Sequence, residues 1–129
     1  MNYARWLHTA TRLQDGKVLV ASYGSAEVYN PDTATWTLTG AMADNRDRHQ
    51  AILLPNGKVL AVGGNGPYVD GLTSAELYNP VTSTWTATAS LNIGRTDHTL
   101  TLLPNGKVLA TAGSDGDDTP YNTAELWQP

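Results

Sequence analysis

The sequence of 129 residues predicts an all-β protein assembled from repeated four-stranded antiparallel meanders. Three observations carry that reading. Composition favours strands and turns over helices: Thr, Val, Leu, Ala, Tyr and Trp are abundant, glycine reaches 12 and phenylalanine is absent. One block of landmark residues returns three times at fixed offsets, as in a repeat architecture. Each block also holds an Asp-Gly or Asn-Gly turn between two apolar runs, the sequence form of a β-hairpin.

Each copy opens on Arg-x-x-His, at Arg5 and His8, Arg46 and His49, and Arg95 and His98. A first strand is expected near 8–13, 49–54 and 98–103. Its turn is Asp15-Gly16-Lys17, Asn56-Gly57-Lys58 or Asn105-Gly106-Lys107, which together hold all the lysines. A type I′ turn, with positive φ at both central residues, suits the twist of the flanking strands. The second strand, near 17–22, 58–63 and 107–112, is almost wholly apolar in Val18-Leu19-Val20-Ala21, Val59-Leu60-Ala61-Val62 and Val108-Leu109-Ala110. Such a strand is covered on both faces, so sheets must stack on either side of it. A third strand carries Ala26-Glu27, Ala75-Glu76 and Ala124-Glu125, with Tyr29, Tyr78 and Trp127 two residues on. It ends at Asn30-Pro31 or Asn79-Pro80 and turns into a fourth, Thr35-Trp36-Thr37 or Thr84-Trp85-Thr86. Four strands per repeat of about 50 residues make the blade of a β-propeller.

The run of Arg-x-x-His, Leu-Pro-Asn-Gly-Lys-Val-Leu-Ala, Gly63-Gly64 or Ala112-Gly113, Ser/Thr-Ala-Glu-Leu-Tyr-Asn-Pro and Thr-Trp resembles the kelch repeat, in the form found in bacterial and galactose-oxidase-like proteins. The resemblance covers essentially the whole chain. Copy one departs from it: Ser22-Tyr23 stands in place of the diglycine, and the loop to the third strand is eight residues shorter. The resemblance implies a radial fold with the first strand innermost. Blade 1 then covers about 1–42, blade 2 about 43–91, and blade 3 about 92–129 without its outermost strand, about 2.75 blades in one partial propeller. Kelch propellers close with six or seven blades. The chain is therefore expected to be a fragment or a subunit, and a homodimer would complete a six-bladed ring.

The net charge of −4, from 8 basic and 12 acidic residues, lacks the broad positive field of a nucleic-acid binder. There is no cysteine, which removes disulfides, thiolate metal sites and a cysteine nucleophile. The start, Met1-Asn2-Tyr3-Ala4-Arg5-Trp6, is not patterned as a signal peptide, and no apolar run approaches a membrane span. As given, the chain is not expected to export itself, although the resemblance leans toward an extracellular or envelope setting.

Residues that recur once per copy are read as serving the repeat. A buried Arg–Glu pair, from Arg5, Arg46 and Arg95 with Glu27, Glu76 and Glu125, would orient adjacent blades. His8, His49 and His98 would hydrogen-bond the glutamate of their own or a neighbouring blade, rather than bind a metal. Residues that do not recur say more about function. The connections between second and third strands differ in every copy and are the natural recognition surface, with Tyr68, Asp70, Tyr121 and Asn122 as candidates. Asp115, Asp117 and Asp118 gather three carboxylates that would suit calcium, without the full spacing of an EF-hand loop. A solvated acidic loop is the default there. No catalytic motif and no cofactor site is found. The copper oxidases that share this propeller use a tyrosine-histidine pair and a cysteine-crosslinked tyrosine, whereas this chain has neither an adjacent Tyr-His nor a cysteine. The expected function is a non-catalytic binding or structural module holding a protein or a glycan. The alternatives are a piece of a galactose-oxidase-like enzyme whose catalytic residues lie elsewhere, and an engineered half-propeller without a ligand.

Overall fold

The computed structural model describes residues 1–117 and 119–128. These residues form three antiparallel sheets with no helix. Blade 1 is β1 (Thr9–Arg12), β2 (Val18–Ser22), β3 (Ser25–Asn30) and β4 (Thr35–Leu38). Blade 2 is β5 (Gln50–Leu53), β6 (Val59–Val62), β7 (Ala75–Asn79) and β8 (Thr84–Thr88). Blade 3, among the described residues, is β9 (Thr99–Leu102), β10 (Val108–Thr111) and β11 (Ala124–Trp127). Within each blade the strands pair in sequence order, and the first strands β1, β5 and β9 lie side by side at the meeting line of the three sheets. The expected strands are recovered to within a residue or two.

The hairpin turn differs from the expected type I′. Leu54 N donates to Lys58 O at 2.8 Å and Gly57 N to Leu54 O at 3.0 Å, and only Gly57 of the loop has positive φ, at 82°. This is a three-residue loop: a type I turn over Leu54-Pro55-Asn56-Gly57 followed by a left-handed glycine. Proline at the second position in copies two and three suits type I through its fixed φ, but copy one makes the same loop with Gln14 there, so the turn does not depend on proline. The Asn56 side chain closes the loop by accepting from Lys58 N at 3.1 Å. Copies one and three repeat the bonds at Gly16 and Gly106.

Alternation along the second strands builds the core. Leu19 and Ala21 join Val59, Ala61 and Tyr78 in one apolar cluster between blades 1 and 2. Leu60 and Val62 join Val108, Ala110 and Trp127 in another between blades 2 and 3. β6 therefore contributes to both clusters and is buried along its whole length. β10 is buried only at alternate residues, because one of its faces has no neighbouring blade among the described residues. The third and fourth strands are stapled by tilted ring pairs, Tyr29 with Trp36 at 5.0 Å and Tyr78 with Trp85 at 5.1 Å.

Two glycines allow the backbone arguments to be separated. A Cβ on Gly106, at φ 81°, would meet nothing within 4 Å, so Gly106→Ala should cost about 1 kcal/mol from conformation alone. A Cβ on Gly64, at φ 87°, would run into the Asp47 carbonyl oxygen and the His49 backbone. Gly64→Ala should therefore lower the urea midpoint at least twice as far as Gly106→Ala.

Candidate functional site

Each third strand lifts a glutamate toward the segment that enters its own blade. Glu76 accepts from Ala43 N at 2.8 Å, Asp44 N at 3.3 Å and Arg46 Nη2 at 3.1 Å. Glu27 does the same for Asn2 N, Tyr3 N and Arg5, and Glu125 for Asn92 N, Ile93 N and Arg95. The arginine's other arm holds the far end of the β2–β3 type of connection. Arg46 Nη1 donates to Gly63 O at 2.8 Å and Ser74 O at 2.9 Å, and Arg95 Nη1 to Ala112 O at 2.6 Å. Arg46 and Arg95 are fully buried. The pairs thus lie within a blade, not between blades as expected, because the arginine and glutamate of one copy flank the same loop.

The Glu27 carboxyl is held down to about 2: burial works to raise it and is outweighed by the bonds from Asn2, Arg5 and Tyr3. Glu125 is lowered in the same way, with Asn92 as the main donor against burial. His49 turns to the preceding blade instead of to glutamate. His49 Nε2 meets Thr9 Oγ1 at 2.9 Å, whereas neither ring nitrogen of the buried His98 has a partner among the described residues. Burial, with the nearby arginine, depresses His49 to about 3 and His98 to about 4. His8, in the first described blade, is exposed.

Backbone bonds join the blades. Tyr23 N donates to Arg46 O at 2.8 Å, and Gly64 N to Arg95 O at 2.9 Å. Arg48 N donates to Leu7 O at 3.3 Å, and Asp97 N to Arg48 O at 3.2 Å. Leu7, Arg48 and Asp97 all hold φ near 50°, so the same left-handed residue recurs without any glycine to announce it.

The residues that break the repeat converge on one cleft. Its walls include Trp6, Leu7, Tyr23, Asp47, Arg48, Asn65, Pro67 and Asp70, around a volume of about 360 Å³. Trp6 is 74% exposed and Tyr23 54%. The short connection of blade 1 opens the space, and the longer one of blade 2 walls it, tied by Leu72 N to Gly64 O at 2.7 Å and Gly71 N to Asn65 Oδ1 at 3.1 Å. Burial pushes the Asp47 carboxyl up, Arg48 opposes this and Asp97 adds to it. Arg48 and Asp97 pair at 3.1 Å on the cleft's margin.

Of the predicted loop residues, Asp70 lies in this cleft. Tyr68 stands 97% exposed at the loop tip. The Tyr121 ring packs under the Arg95 guanidinium at 5.6 Å, and Asn122 is exposed. Asp115 Oδ1 accepts from Asp117 N and Thr119 N, so it closes its own turn, and Asp117 is exposed. Asp118 lies outside the described residues. Among the described residues no three His, Cys, Asp or Glu side chains are placed to share a metal ion. Sequence reasoning missed Trp6 and the role of Tyr23 in the cleft, although Tyr23 had been marked by its departure from the diglycine.

Residues 49–92 match the family model described as Kelch motif. The match supports a kelch-repeat family. It spans the inner strand of blade 2 to the first residue of blade 3, so the kelch unit coincides with one sheet and its onward connection. A search of curated proteins gave no match.

Two outcomes test the kelch scaffold. Glu76→Ala should cost roughly 1–3 kcal/mol, because it strands a buried guanidinium and two backbone N–H groups, while Asp117→Ala stays within about 0.5 kcal/mol. Urea midpoints in the reverse order would refute the division between clip and loop. The buried histidines set an acid response. Their folded pKa values lie below the ordinary 6.5, so the unfolded chain takes up protons first as pH falls. Stability is full above about pH 6.5 and drops toward pH 4, by on the order of 3 kcal/mol per histidine. Glu27 adds a further loss between its ordinary 4.5 and about 2. Urea melts across pH 4 to 7 should show this slope, and His98→Asn should flatten it.

Proposed function

We propose that this chain is a non-catalytic recognition module of the kelch-propeller kind, with its ligand, a protein or a glycan, held over blades 1 and 2. The observation that supports the reading most is the convergence of repeat-breaking residues at the Trp6–Tyr23 cleft. A scaffold needs no indole at position 6, where the other copies place Asp47 and Thr96. Nor does it need tyrosine at position 23, where they place Gly64 and Gly113. Tyr23 sits at φ 50°, a conformation that costs a side chain about 1 kcal/mol or more. Strain kept at a solvent-facing ring supports a role outside folding.

The cleft's chemistry supports the ligand class. Two exposed aromatic faces offer flat apolar contact, and Asp47, Asn65, Asp70 and Arg48 offer fixed polar groups beside them. About 360 Å³ holds a sugar unit or the tip of a peptide. Meanwhile the buried Arg and Glu of every copy, and His49, are engaged in the scaffold. That commitment supports a non-catalytic reading of these recurring groups, since general acid–base chemistry requires a group free to reach a substrate.

The reading makes stability and binding separable. Screening the labelled chain on glycan and peptide arrays should return binders whose affinity falls at least tenfold on Trp6→Ala or Tyr23→Gly. Tyr23→Gly should leave the urea midpoint unchanged or raised, because glycine relieves the left-handed strain. Array binders indifferent to both substitutions would place recognition elsewhere and sink the proposal.

A further inference from the structure

We infer that the Trp6–Tyr23 cleft seats a basic side chain, the guanidinium or ammonium group of an arginine or lysine on a protein partner. This rests on the recognition-cleft reading and narrows its ligand. The observation behind it is negative charge left without a counter-charge. Asp47 and Asp70 both line the cleft, and neither carboxylate has a hydrogen bond or an ion pair among the described residues. The guanidinium on the same wall, that of Arg48, is already paired with Asp97 at 3.1 Å. Two acids therefore face the cavity beside a cation that is already neutralised. Burial, which Arg48 only partly offsets, raises the Asp47 carboxyl, so its charge is held at a cost that an incoming cation would relieve.

The backbone under both acids is set before any ligand arrives. Asp47 N donates to Asn65 O at 3.0 Å, and Asp47 O accepts from Asn65 N at 2.9 Å. Asp70 follows the bond from Gly66 N to Val69 O at 2.8 Å and packs against Gly116, where a Cβ would overlap its side chain. Positions fixed in advance lose less freedom on binding. The rings supply the other half of the site. Trp6 and Tyr23 stand exposed, and an aromatic face attracts a cation placed over it. A neutral sugar would cover the two carboxylates without a counter-charge, which is costly, and an acidic ligand would be repelled. An arginine or lysine answers both features at once, its charged head toward the carboxylates and its aliphatic stem along the rings. The net charge of −4 draws the same ligand at longer range. At the seam between blades 2 and 3 the positions of Tyr23 and Asp47 hold Gly64 and Thr96, neither ring nor charge, so the site belongs to one seam alone.

A random-sequence peptide array, with a glycan array run beside it, tests the ligand class. Peptides that bind should carry arginine or lysine, and replacing that residue with citrulline or norleucine should weaken them about tenfold or more. Asp47→Asn and Asp70→Asn keep the shape and remove the charge, and each should weaken the same peptides about tenfold while the urea midpoint holds. Either variant serves if the other fails to fold. Trp6→Leu keeps apolar contact but loses the ring face, and should weaken binding about fivefold. Raising salt from about 0.05 M to about 0.5 M should weaken it several-fold, because exposed charges are screened. Binders that need Trp6 and Tyr23 but are glycans, or peptides indifferent to citrulline and to both Asp→Asn changes, overturn the basic ligand and leave the cleft standing. Binders indifferent to the two rings as well remove the cleft reading with it. Arrays that return no basic peptide also overturn the inference.

Discussion

Everything in each blade is hung on the glutamate of its third strand. In the middle of a sheet a carboxylate is a costly thing to bury, and it is tolerated only when several donors converge on it. Here the donors are the backbone of the incoming segment and one arm of the arginine that ends it. The arginine's second arm then holds the carbonyls on either side of the long connection between second and third strands. One ion pair thereby fixes where the chain enters a blade and where its variable loop starts and finishes. The loop can change length and sequence between those fixed ends without disturbing the sheet.

Blade-to-blade attachment uses different physics. Among the described residues one side-chain ion pair crosses a seam, the exposed pair of Arg48 with Asp97. The rest of the attachment is an apolar layer from alternate residues of the second strands, plus backbone bonds beside the first strands and at the loops. Both are insensitive to residue identity within broad limits. The backbone bonds require only that positions 7, 48 and 97 adopt the left-handed region, which Leu, Arg and Asp each do. This division lets the clip define a blade while the seam joins one blade to the next.

The departures of copy one are intelligible against that background. Shortening its connection by eight residues removes a wall that blades 2 and 3 both have, and the exposed Trp6 and Tyr23 stand in the space left. Tyr23 keeps the backbone bond to Arg46 O that the glycines make, at the expense of strain. The seam is thus preserved while the surface above it is changed.

How much of this was legible in the sequence follows from the range of each interaction. Three all-β units, their strands and the burial of the second strands were readable from the repeat, because periodicity and turn residues act over a few neighbours. That Glu76 and Arg46 matter was readable from their recurrence. Their pairing within a blade was not, since it depends on two loops folding back across 30 residues. The Asn-Gly or Asp-Gly pair of each copy pointed to a two-residue turn, whereas a left-handed glycine closes a three-residue loop in all three copies, with or without proline. The histidine contacts, the left-handed residues at the seams and the cleft at Trp6 were decided only in three dimensions. Each arises where separate copies meet, and a repeat read one copy at a time carries no signal for what lies between copies.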